Sequence, residues 1–326
     1  MPFLAQSLDP FYVQRQFDLQ LTAETSGVDF ARLCAIRVVR YKPERRCLFE
    51  FDVVTHRCQT GIEKETFVGK ARAKGLDRLT YRVVKSLWQS GFSDTSRDGI
   101  SVPEPIGMIP DLHMWLQRKI PGTTVTRTLM GGCGVAIARR IAVVANKLHQ
   151  SGIEVNRTHS ISDEIRILHE RLESVAQTNP RLENRLHKVL EACSTLAAGI
   201  PPPLPTGIHR DFYADQILQN DSRLFILDLD LYTRGDPALD IGNFIGHITE
   251  FSLRKYGHAD ALKDRETAIE NRFVELSGEP ARVRVRTYAL LTLVRHVSLS
   301  TQFPERHPFT GAILELCERR LANLVV

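Results

Sequence analysis

The chain of 326 residues is 43% hydrophobic and 25% charged, with a formal net charge of +5. This balance is typical of a globular protein long enough for two lobes, and it excludes a largely disordered chain. The first twenty residues lack a basic segment followed by an apolar run, and no eighteen apolar residues are consecutive. We therefore expect a soluble, cytoplasmic protein with no membrane partner. The six cysteines form no CxxC pair, which argues against a zinc site and a disulfide framework.

The first part of the chain is the more basic part and has the pattern of β-strands. Residues 1–119 contain 18 Lys and Arg against 14 Asp and Glu, whereas the remainder contains 25 against 24. β-Branched and aromatic residues alternate with polar ones and are interrupted by turn residues, which predicts antiparallel strands. The predicted elements are strands over 34–41, 48–54 and 66–70, a helix over about 76–88 and a strand at 114–116.

The rest of the chain has the pattern of long helices. Apolar residues recur three or four positions apart, as in Val135, Ala138 and Ile141, and this spacing places them on one helical face. Similar patterns cover residues 161–177, 181–198, 238–255, 281–300 and 309–324. The sequence therefore predicts an α+β fold in which an antiparallel-sheet N-terminal lobe, residues 1–119, precedes a mainly helical C-terminal lobe, residues 120–326.

The segment from Gly207 to Asp230 carries the clearest functional signal. It contains His209-Arg210-Asp211 and ends, after a turn at Asn220-Asp221-Ser222, in Leu227-Asp228-Leu229-Asp230. The pattern predicts a hairpin with acidic residues at both ends. Phosphoryl transfer needs one carboxylate near the attacking hydroxyl, and further oxygens that hold Mg²⁺ on the phosphates. Such a hairpin would supply both.

The order and spacing of these residues resemble the catalytic signature of the aminoglycoside phosphotransferase and choline kinase-like family. His209-Arg210-Asp211 is followed by Gln216, by Leu227-Asp228, and by Gly235-Asp236-Pro237-Ala238-Leu239-Asp240. The resemblance implies a bilobal protein-kinase-like fold. It also implies a kinase that uses ATP, or alternatively GTP, together with Mg²⁺ to phosphorylate a hydroxyl group of a small molecule.

The resemblance also implies roles for the acidic residues. Asp211 would be the catalytic base, and His209 would belong to the catalytic loop and hold its shape. Asp228 would be the principal Mg²⁺ ligand, with Asp230 as a second one. Gln216 stands where the family has asparagine; its amide oxygen could still bind Mg²⁺, although the longer side chain moves that oxygen outward.

In the first lobe, the resemblance implies that Lys70 contacts the nucleotide phosphates. Its expected acidic partner on the next helix is unclear, because Asp77 is the only acid within residues 71–91. No glycine-rich loop is present, so Arg45 and Arg46 between the first two strands are candidates for phosphate contacts. The interlobe hinge that would bind adenine corresponds to Leu116, Gln117, Arg118, Lys119 and Ile120.

Three alternatives remain open at this point. Gln216 and the missing helix glutamate are compatible with a degenerate kinase that binds nucleotide or a partner without turnover. Asp228-Leu229-Asp230 alone could be the metal-binding motif of a sugar-nucleotide transferase, although so short a motif is weak. The basic strands could bind nucleic acid, but no recognition motif accompanies them, and we expect no nucleic-acid partner. The acceptor could be a sugar, an amino alcohol, an aminoglycoside-like molecule or another hydroxylated metabolite.

Overall fold

The computed structural model describes residues 3–21, 28–57 and 61–323. The chain divides into two compact units, one formed by Met1–Thr123 with Leu218–Asp230 and the other by Thr124–Ile217 with Leu231–Val326. The segment Leu218–Asp230 therefore packs with the first unit although in sequence it lies between the two stretches of the second unit. Among the described residues, no helix is both long and apolar enough to cross a membrane.

The first unit is built on a five-stranded sheet. Its strands are β1 (Phe30–Lys42), β2 (Arg46–Arg57), β3 (Gly61–Arg72), β5 (Pro105–Ile109) and β6 (Met114–Arg118). They lie in the order β1-β2-β3-β6-β5, and neighbouring strands are antiparallel. Alternating side chains of β2 and β3 point into the core, where Phe49, Phe51 and Phe67 are fully buried. The strands predicted from the sequence are confirmed.

The described part of this unit contains the α-helices α1 (Leu4–Ser7), α2 (Pro10–Gln20) and α3 (Arg78–Leu87). The Asp9 carboxylate caps α2 by accepting hydrogen bonds from two backbone N–H groups of its first turn, and Pro10 occupies the first helical position. Phe17 of α2 lies edge-on to Phe51, with ring centroids 5.6 Å apart. The sequence predicted α3 but not α2, so a second helix covers part of this sheet.

A short hairpin completes the first unit. Strands β10 (Ile217–Asn220) and β11 (Arg223–Ile226) are neighbours in a second sheet, and β11 pairs in parallel with β4 (Ile100–Ser101). Asp221 takes a left-handed conformation in the turn, with φ 51°, as short polar residues can. The hairpin predicted from the sequence is therefore present.

The second unit is mainly helical. Two glycines of α8 (Ala238–Tyr256) permit a close approach to α10 (Ala281–Ser300). A Cβ at Gly242 would lie 2.4 Å from the Cβ of Tyr288, and one at Gly246 would lie 2.7 Å from that of Thr292. The helices are α4 (Thr126–Met130), α5 (Gly134–His149), α6 (Ile161–Thr178), α7 (Glu183–Ala198), α8 (Ala238–Tyr256), α9 (Lys263–Ser277), α10 (Ala281–Ser300) and α11 (Thr310–Ala322).

A small three-stranded sheet lies in the same unit. Strand β12 (Thr233–Gly235) pairs in parallel with β8 (Thr158–His159) and antiparallel with β9 (Thr206–Ile208). Strand β7 (Thr123–Thr124) lies at the boundary of the two units. The long helices predicted from the sequence are confirmed, although residue 324 of the last predicted range lies outside the described residues. Helix α9 was not predicted, because its apolar residues are few among many charged ones.

Candidate active site

A cluster of opposite charges lies in the first unit where β3 meets the end of the hairpin. The Lys70 ammonium donates a hydrogen bond to the Asp228 carboxylate at 3.1 Å and lies 3.5 Å from an Asp230 oxygen. Arg72 contacts Asp230 at 2.5 Å, and Arg46 lies 3.6 Å from the same carboxylate. The structure therefore brings together three of the predicted site residues, Lys70, Asp228 and Asp230, with Arg46 at the edge.

The backbone fixes the positions of these groups. Lys70 is paired across the sheet with Trp115, and its ammonium lies 5.5 Å from the centre of that indole ring. Asp228 has a left-handed backbone, with φ 54°, a conformation that costs little for aspartate compared with most residues. Asp77 instead caps α3 by accepting the Thr80 N–H at 3.0 Å. The acidic neighbours of Lys70 are thus the hairpin acids, not a residue of the following helix.

Burial and the neighbouring cations act in opposite directions on Asp228. Burial disfavours its charged form, but the charge and hydrogen bond of Lys70 outweigh this effect and hold the pKa of Asp228 well below its usual range. Burial raises the pKa of Asp230, and the nearby charge of Asp228 adds to that rise. Asp228 is therefore an ionised hard-oxygen donor at neutral pH, as a Mg²⁺ ligand must be.

A small cavity of about 110 Å³ opens onto this cluster. Four cationic side chains and two carboxylates line it: Arg40, Arg46, Lys70 and Arg72, with Asp228 and Asp230. In the described part of the chain, no group of three or more His, Cys, Asp or Glu side chains is arranged to hold a metal alone. Two carboxylates beside a cationic lining fit a Mg²⁺ ion that takes its remaining ligands from phosphates and water.

The predicted hinge residues lie at the end of β6 and just after it. Leu116 is buried, and the backbone N–H groups of Arg118 and Lys119 donate to the carbonyls of Glu104 and Thr66 at 2.9 and 2.8 Å. The side chains of Arg118 and Lys119 form ion pairs with acids of the same unit. These two N–H groups are therefore occupied within the sheet. Gln117 and Ile120, also predicted for the hinge, lie in the same segment and are partly exposed.

Arg45, a predicted phosphate contact, lies in the turn between β1 and β2. Its backbone N–H donates to the Lys42 carbonyl at 3.1 Å, and its own carbonyl accepts the N–H of Ala73 at 3.0 Å. Arg45 is absent from the lining of the small cavity, whereas Arg46 and Arg72 are part of it. Arg72 is not among the predicted site residues, although it lies two positions after Lys70 on the same strand and therefore faces the same side.

The loop that contains Asp211 lies in the second unit and is held by a buried carboxylate. The two oxygens of Asp240 accept the backbone N–H groups of His209 at 2.9 Å and Arg210 at 2.7 Å. One of these oxygens also lies 2.8 Å from Nε2 of His149. Arg210 has φ 72°, a strained conformation for arginine. The hydrogen bonds to Asp240 hold the backbone in this conformation.

His209 and Asp211 occupy different environments within this loop. His209 is fully buried, and its Nδ1 accepts the Asp211 N–H at 3.3 Å. The Asn243 side chain, which the sequence reading missed, adds a further hydrogen bond to the Phe212 carbonyl at 3.1 Å. Gln216 is buried in the single turn Ala214–Gln216. His209 therefore supports the loop from inside.

Asp211 lines a large cavity of about 520 Å³ whose lining residues all belong to the second unit. This volume is within the range of small-molecule sites. One part of the lining is apolar or aromatic and includes Leu129, Ile167, Tyr213, Phe244, Phe251 and Leu299. The charged part consists of Glu164, Arg171, Arg210, Asp211, Asp215, Glu250, Arg254, Arg295 and Arg306. A carboxylate at the wall of a mixed-polarity cavity of this size is suited to act on a bound small molecule.

Residues 92–268 match the sequence model of the phosphotransferase enzyme family. The match spans more than half of the chain and includes both Asp211 and Asp228. The chain belongs to the phosphotransferase enzyme family. Membership confirms the predicted enzyme class, a phosphotransferase with a hydroxyl acceptor. No curated protein matches this phosphotransferase significantly in sequence.

Solved structures of low sequence identity share the fold. Spectinomycin phosphotransferase APH(9)-Ia, solved with ADP and spectinomycin, has a TM-score of 0.60 at 12% identity, with 94% of this chain and 98% of that chain covered. Aminoglycoside phosphotransferase APH(4)-Ia has a TM-score of 0.62 at 15% identity, with 98% of each chain covered. A choline/ethanolamine kinase family protein from Mesorhizobium loti has a TM-score of 0.57 at 14% identity, with 87% and 88% covered. The predicted kinase-like α+β fold is confirmed.

A pair of histidines beside the large cavity should make this phosphotransferase sensitive to acid. His247 stacks on Tyr213 with ring centroids 4.5 Å apart and meets His296 edge-on at 4.6 Å. Burial, with the nearby charges of Arg295 and Arg306, lowers the pKa of His247 to about 3. Burial likewise lowers the pKa of His296. Both imidazoles are therefore neutral in the folded state at pH values where an unfolded histidine is protonated.

As the pH falls below about 6.5, the unfolded chain binds protons at these positions and the folded chain does not, so the free energy of unfolding decreases. Each histidine should contribute a slope of about 1.4 kcal/mol per pH unit. His247→Phe keeps the ring stack. Between pH 6.5 and 5, it should reduce the pH slope of the free energy of unfolding by the contribution of one histidine. Urea unfolding at several pH values measures it, with exposed His258→Gln as the control. An unchanged slope in His247→Phe would contradict the assignment.

Proposed function

We propose that this phosphotransferase transfers the γ-phosphate of ATP, in a Mg²⁺-dependent reaction, to a hydroxyl group of a small molecule bound in the large cavity. The observation that carries the proposal is the position of Asp211. It follows His209-Arg210 in a loop held by hydrogen bonds to Asp240, and it lines a cavity large enough for a small molecule. Two kinase-fold relatives were solved with ADP and with AMP-PNP, which supports a nucleotide as the phosphate donor.

Asp211 has the chemistry needed for the acceptor hydroxyl. A carboxylate within hydrogen-bond reach orients a hydroxyl group and takes its proton as the bond to phosphorus forms. The hydrogen bonds from His209 and Arg210 to Asp240 fix the loop before substrate binds, so little ordering is required during the reaction. We therefore assign the orienting and proton-accepting role to Asp211, and loop support to His209 and Asp240.

The nucleotide phosphates are proposed to bind at the small cavity. Lys70, Arg46 and Arg72 are three cations that already contact carboxylates there, and phosphate oxygens are acceptors of the same kind. Asp228 is the proposed principal Mg²⁺ ligand, with Asp230 as a second oxygen donor, and Mg²⁺ binding by Gln216 stays a prediction. When bound, Mg²⁺ would offset negative charge on the phosphates during transfer. Phosphate binding by Arg45 and adenine binding by residues 116–120 stay predictions.

A second candidate function is a degenerate kinase that binds nucleotide without transferring phosphate. It is favoured by Gln216, whose side chain is buried. This residue stands where the resemblance to aminoglycoside phosphotransferases and choline kinase-like proteins implies an asparagine. The charge cluster argues against it, because Lys70, Asp228 and Asp230 are all present and lie in contact. Acceptor-dependent turnover separates the two functions.

The test is ADP release from Mg²⁺·ATP, and from Mg²⁺·GTP, in the presence of pooled hydroxylated metabolites. Sugars, amino alcohols, hydroxy acids and aminoglycosides form separate pools, and mass spectrometry identifies the phosphorylated product. We expect one pool to stimulate ADP release, and we expect excess EDTA to remove the stimulation. ATP binding without transfer to any pool would instead support the degenerate kinase.

The cytoplasmic location expected from the sequence stays a prediction.

A further inference from the structure

Some charged side chains that line the large cavity are ion-paired with one another, and others are not. Five arginines and four acids contribute to its lining. Glu164 is buried, lies 2.6 Å from Nε2 of His159 and is 3.5 Å from Arg295. Glu250 is also buried and pairs with Arg254 at 3.0 Å and Arg306 at 4.0 Å. Two of the four acids are therefore already paired with cations that lie in the same lining.

The other two acids of the lining, Asp211 and Asp215, have a different partner or role. Asp215 accepts a hydrogen bond from the Thr126 hydroxyl at 2.7 Å, and Asp211 is the proposed base for the acceptor hydroxyl. Both lie in the segment that follows His209-Arg210. Among the described lining residues, two carboxylates, Asp211 and Asp215, are not ion-paired with a cation, whereas a molecule with several ammonium groups would favour a larger unpaired acidic cluster.

Arg171 and Arg210 differ from the other arginines of the cavity. Within residues 3–21, 28–57 and 61–323, neither guanidinium forms an ion pair or a hydrogen bond, and both side chains are half-buried. Burial lowers the pKa of Arg171, and the charge of Arg295 adds to this effect. Burial also lowers the pKa of Arg210. A half-buried guanidinium without a partner is costly, and an anion that binds to it removes part of that cost.

We propose that the acceptor molecule carries an anionic group, a carboxylate or a phosphate, which binds to Arg171 and Arg210 in the large cavity. Its apolar or aromatic body would lie against Phe244, Phe251 and Leu299, and its hydroxyl would face Asp211. Arginine suits this role because its planar fork makes two parallel charge-assisted hydrogen bonds to either anion. The inference rests on the proposed function and adds the substrate class: a hydroxylated acid, not a polycationic aminoglycoside.

The test uses four probes of graded charge and needs no ATP. The probes are inorganic phosphate, 3-phenyllactate, its neutral amide 3-phenyllactamide, and the cationic amino alcohol phenylalaninol. Calorimetry on the full chain should show that 3-phenyllactate binds about ten-fold or more tightly than the amide, with no detectable binding of phenylalaninol. Competition by inorganic phosphate would indicate a phosphate-type site, whereas binding of 3-phenyllactate without such competition would indicate a carboxylate site.

Arg171→Gln keeps a polar side chain but removes the charge, so it should weaken binding of 3-phenyllactate by about ten- to hundred-fold. Arg166→Gln is the matched control. It lies on the same helix, pairs with Glu170 on the exposed face and does not line the cavity, so its affinities should equal those of the wild type. Mg²⁺·ATP affinity should be unchanged in both variants.

Several results would overturn the inference. One is the absence of binding by both anionic probes. A second is binding of the amide or of phenylalaninol as tight as that of 3-phenyllactate. A third is an Arg171→Gln variant that binds the anionic probes with wild-type affinity. A selective loss of Mg²⁺·ATP affinity in Arg171→Gln would assign this arginine to the donor instead. Because these titrations contain no phosphate transfer, their outcome is independent of turnover. Transfer to a neutral or cationic acceptor would uphold the proposed function while contradicting this inference.

Discussion

Replacing Asp228 with asparagine is expected to reduce turnover below detection and to raise the Mg²⁺ concentration needed for tight ATP binding. The carboxylate of Asp228 is ionised beside Lys70, and a neutral amide is a much weaker ligand for a hard cation. Asparagine tolerates the left-handed backbone of this position as aspartate does. The substitution therefore changes the charge with little added backbone strain.

Titration of ATP binding against Mg²⁺ separates the metal role from a purely structural one. If Asp228 only neutralises Lys70, the variant should bind ATP at the same Mg²⁺ concentration as the wild type, and its melting temperature should change instead. Asp98→Asn, which alters a loop acid outside the small cavity, serves as a control for the loss of one negative charge in the same unit. Substantial activity of a folded Asp228→Asn protein at saturating Mg²⁺ would refute the metal assignment.

The sequence predicted the elements whose patterns are strictly local. Strands β2 and β3 place a buried residue at alternate positions, as in Phe49, Phe51 and Val53. Apolar residues therefore recur every second position in the sequence, which is the pattern of a strand. Helix α10 was predicted over 281–300, and the structure has it as Ala281–Ser300. The turn at Asn220-Asp221-Ser222 was likewise readable, because Asn and Asp are common turn residues.

The contacts of the candidate site could not be read from the sequence, because they join distant positions. Lys70 and Asp228 are separated by 158 positions, whereas the only acid close to Lys70 on its C-terminal side in sequence, within residues 71–91, is Asp77. That residue caps α3 and also contacts Arg72. The assignment of Leu218–Asp230 to the first unit has the same origin. Sequence separation carries no information about such a pairing when one chain alone is considered.

The arginines of the large cavity illustrate the same difficulty. Arg171 belongs to α6, Arg254 to α8 and Arg295 to α10, so no contiguous motif contains them. The near-zero net charge of residues 120–326 does not favour a strongly acidic pocket, but it does not identify these arginines. The ion pairs of Glu164 and Glu250 determine which arginines of the cavity stay available to bind an anion. These ion pairs depend on tertiary packing.

Asp211→Asn is expected to lower kcat by about 10²–10⁴ while the affinity for Mg²⁺·ATP stays nearly unchanged. Asparagine keeps the size and one acceptor oxygen of the side chain, but it cannot take a proton from the acceptor hydroxyl, and general-base assistance has this magnitude. The backbone N–H of residue 211 still donates to Nδ1 of His209, so the loop should keep its shape. The measurements are kcat with the identified acceptor, calorimetric titration of Mg²⁺·ATP and a melting curve.

Asp240→Asn is the matched control, because it makes the same chemical change in the residue that supports this loop. The buried Asp240 carboxylate accepts the N–H groups of His209 and Arg210, and an amide can accept with only one of its two polar atoms. We expect this control to lose about 1–3 kcal/mol of stability, a signature that a catalytic role for Asp211 does not predict. If Asp211→Asn instead melts early and its kcat is near normal at temperatures where it is folded, then Asp211 supports the loop and is not the base. A normal melting curve together with a large fall in kcat assigns the proton transfer to Asp211, since the loop geometry is then intact and only the charge is missing.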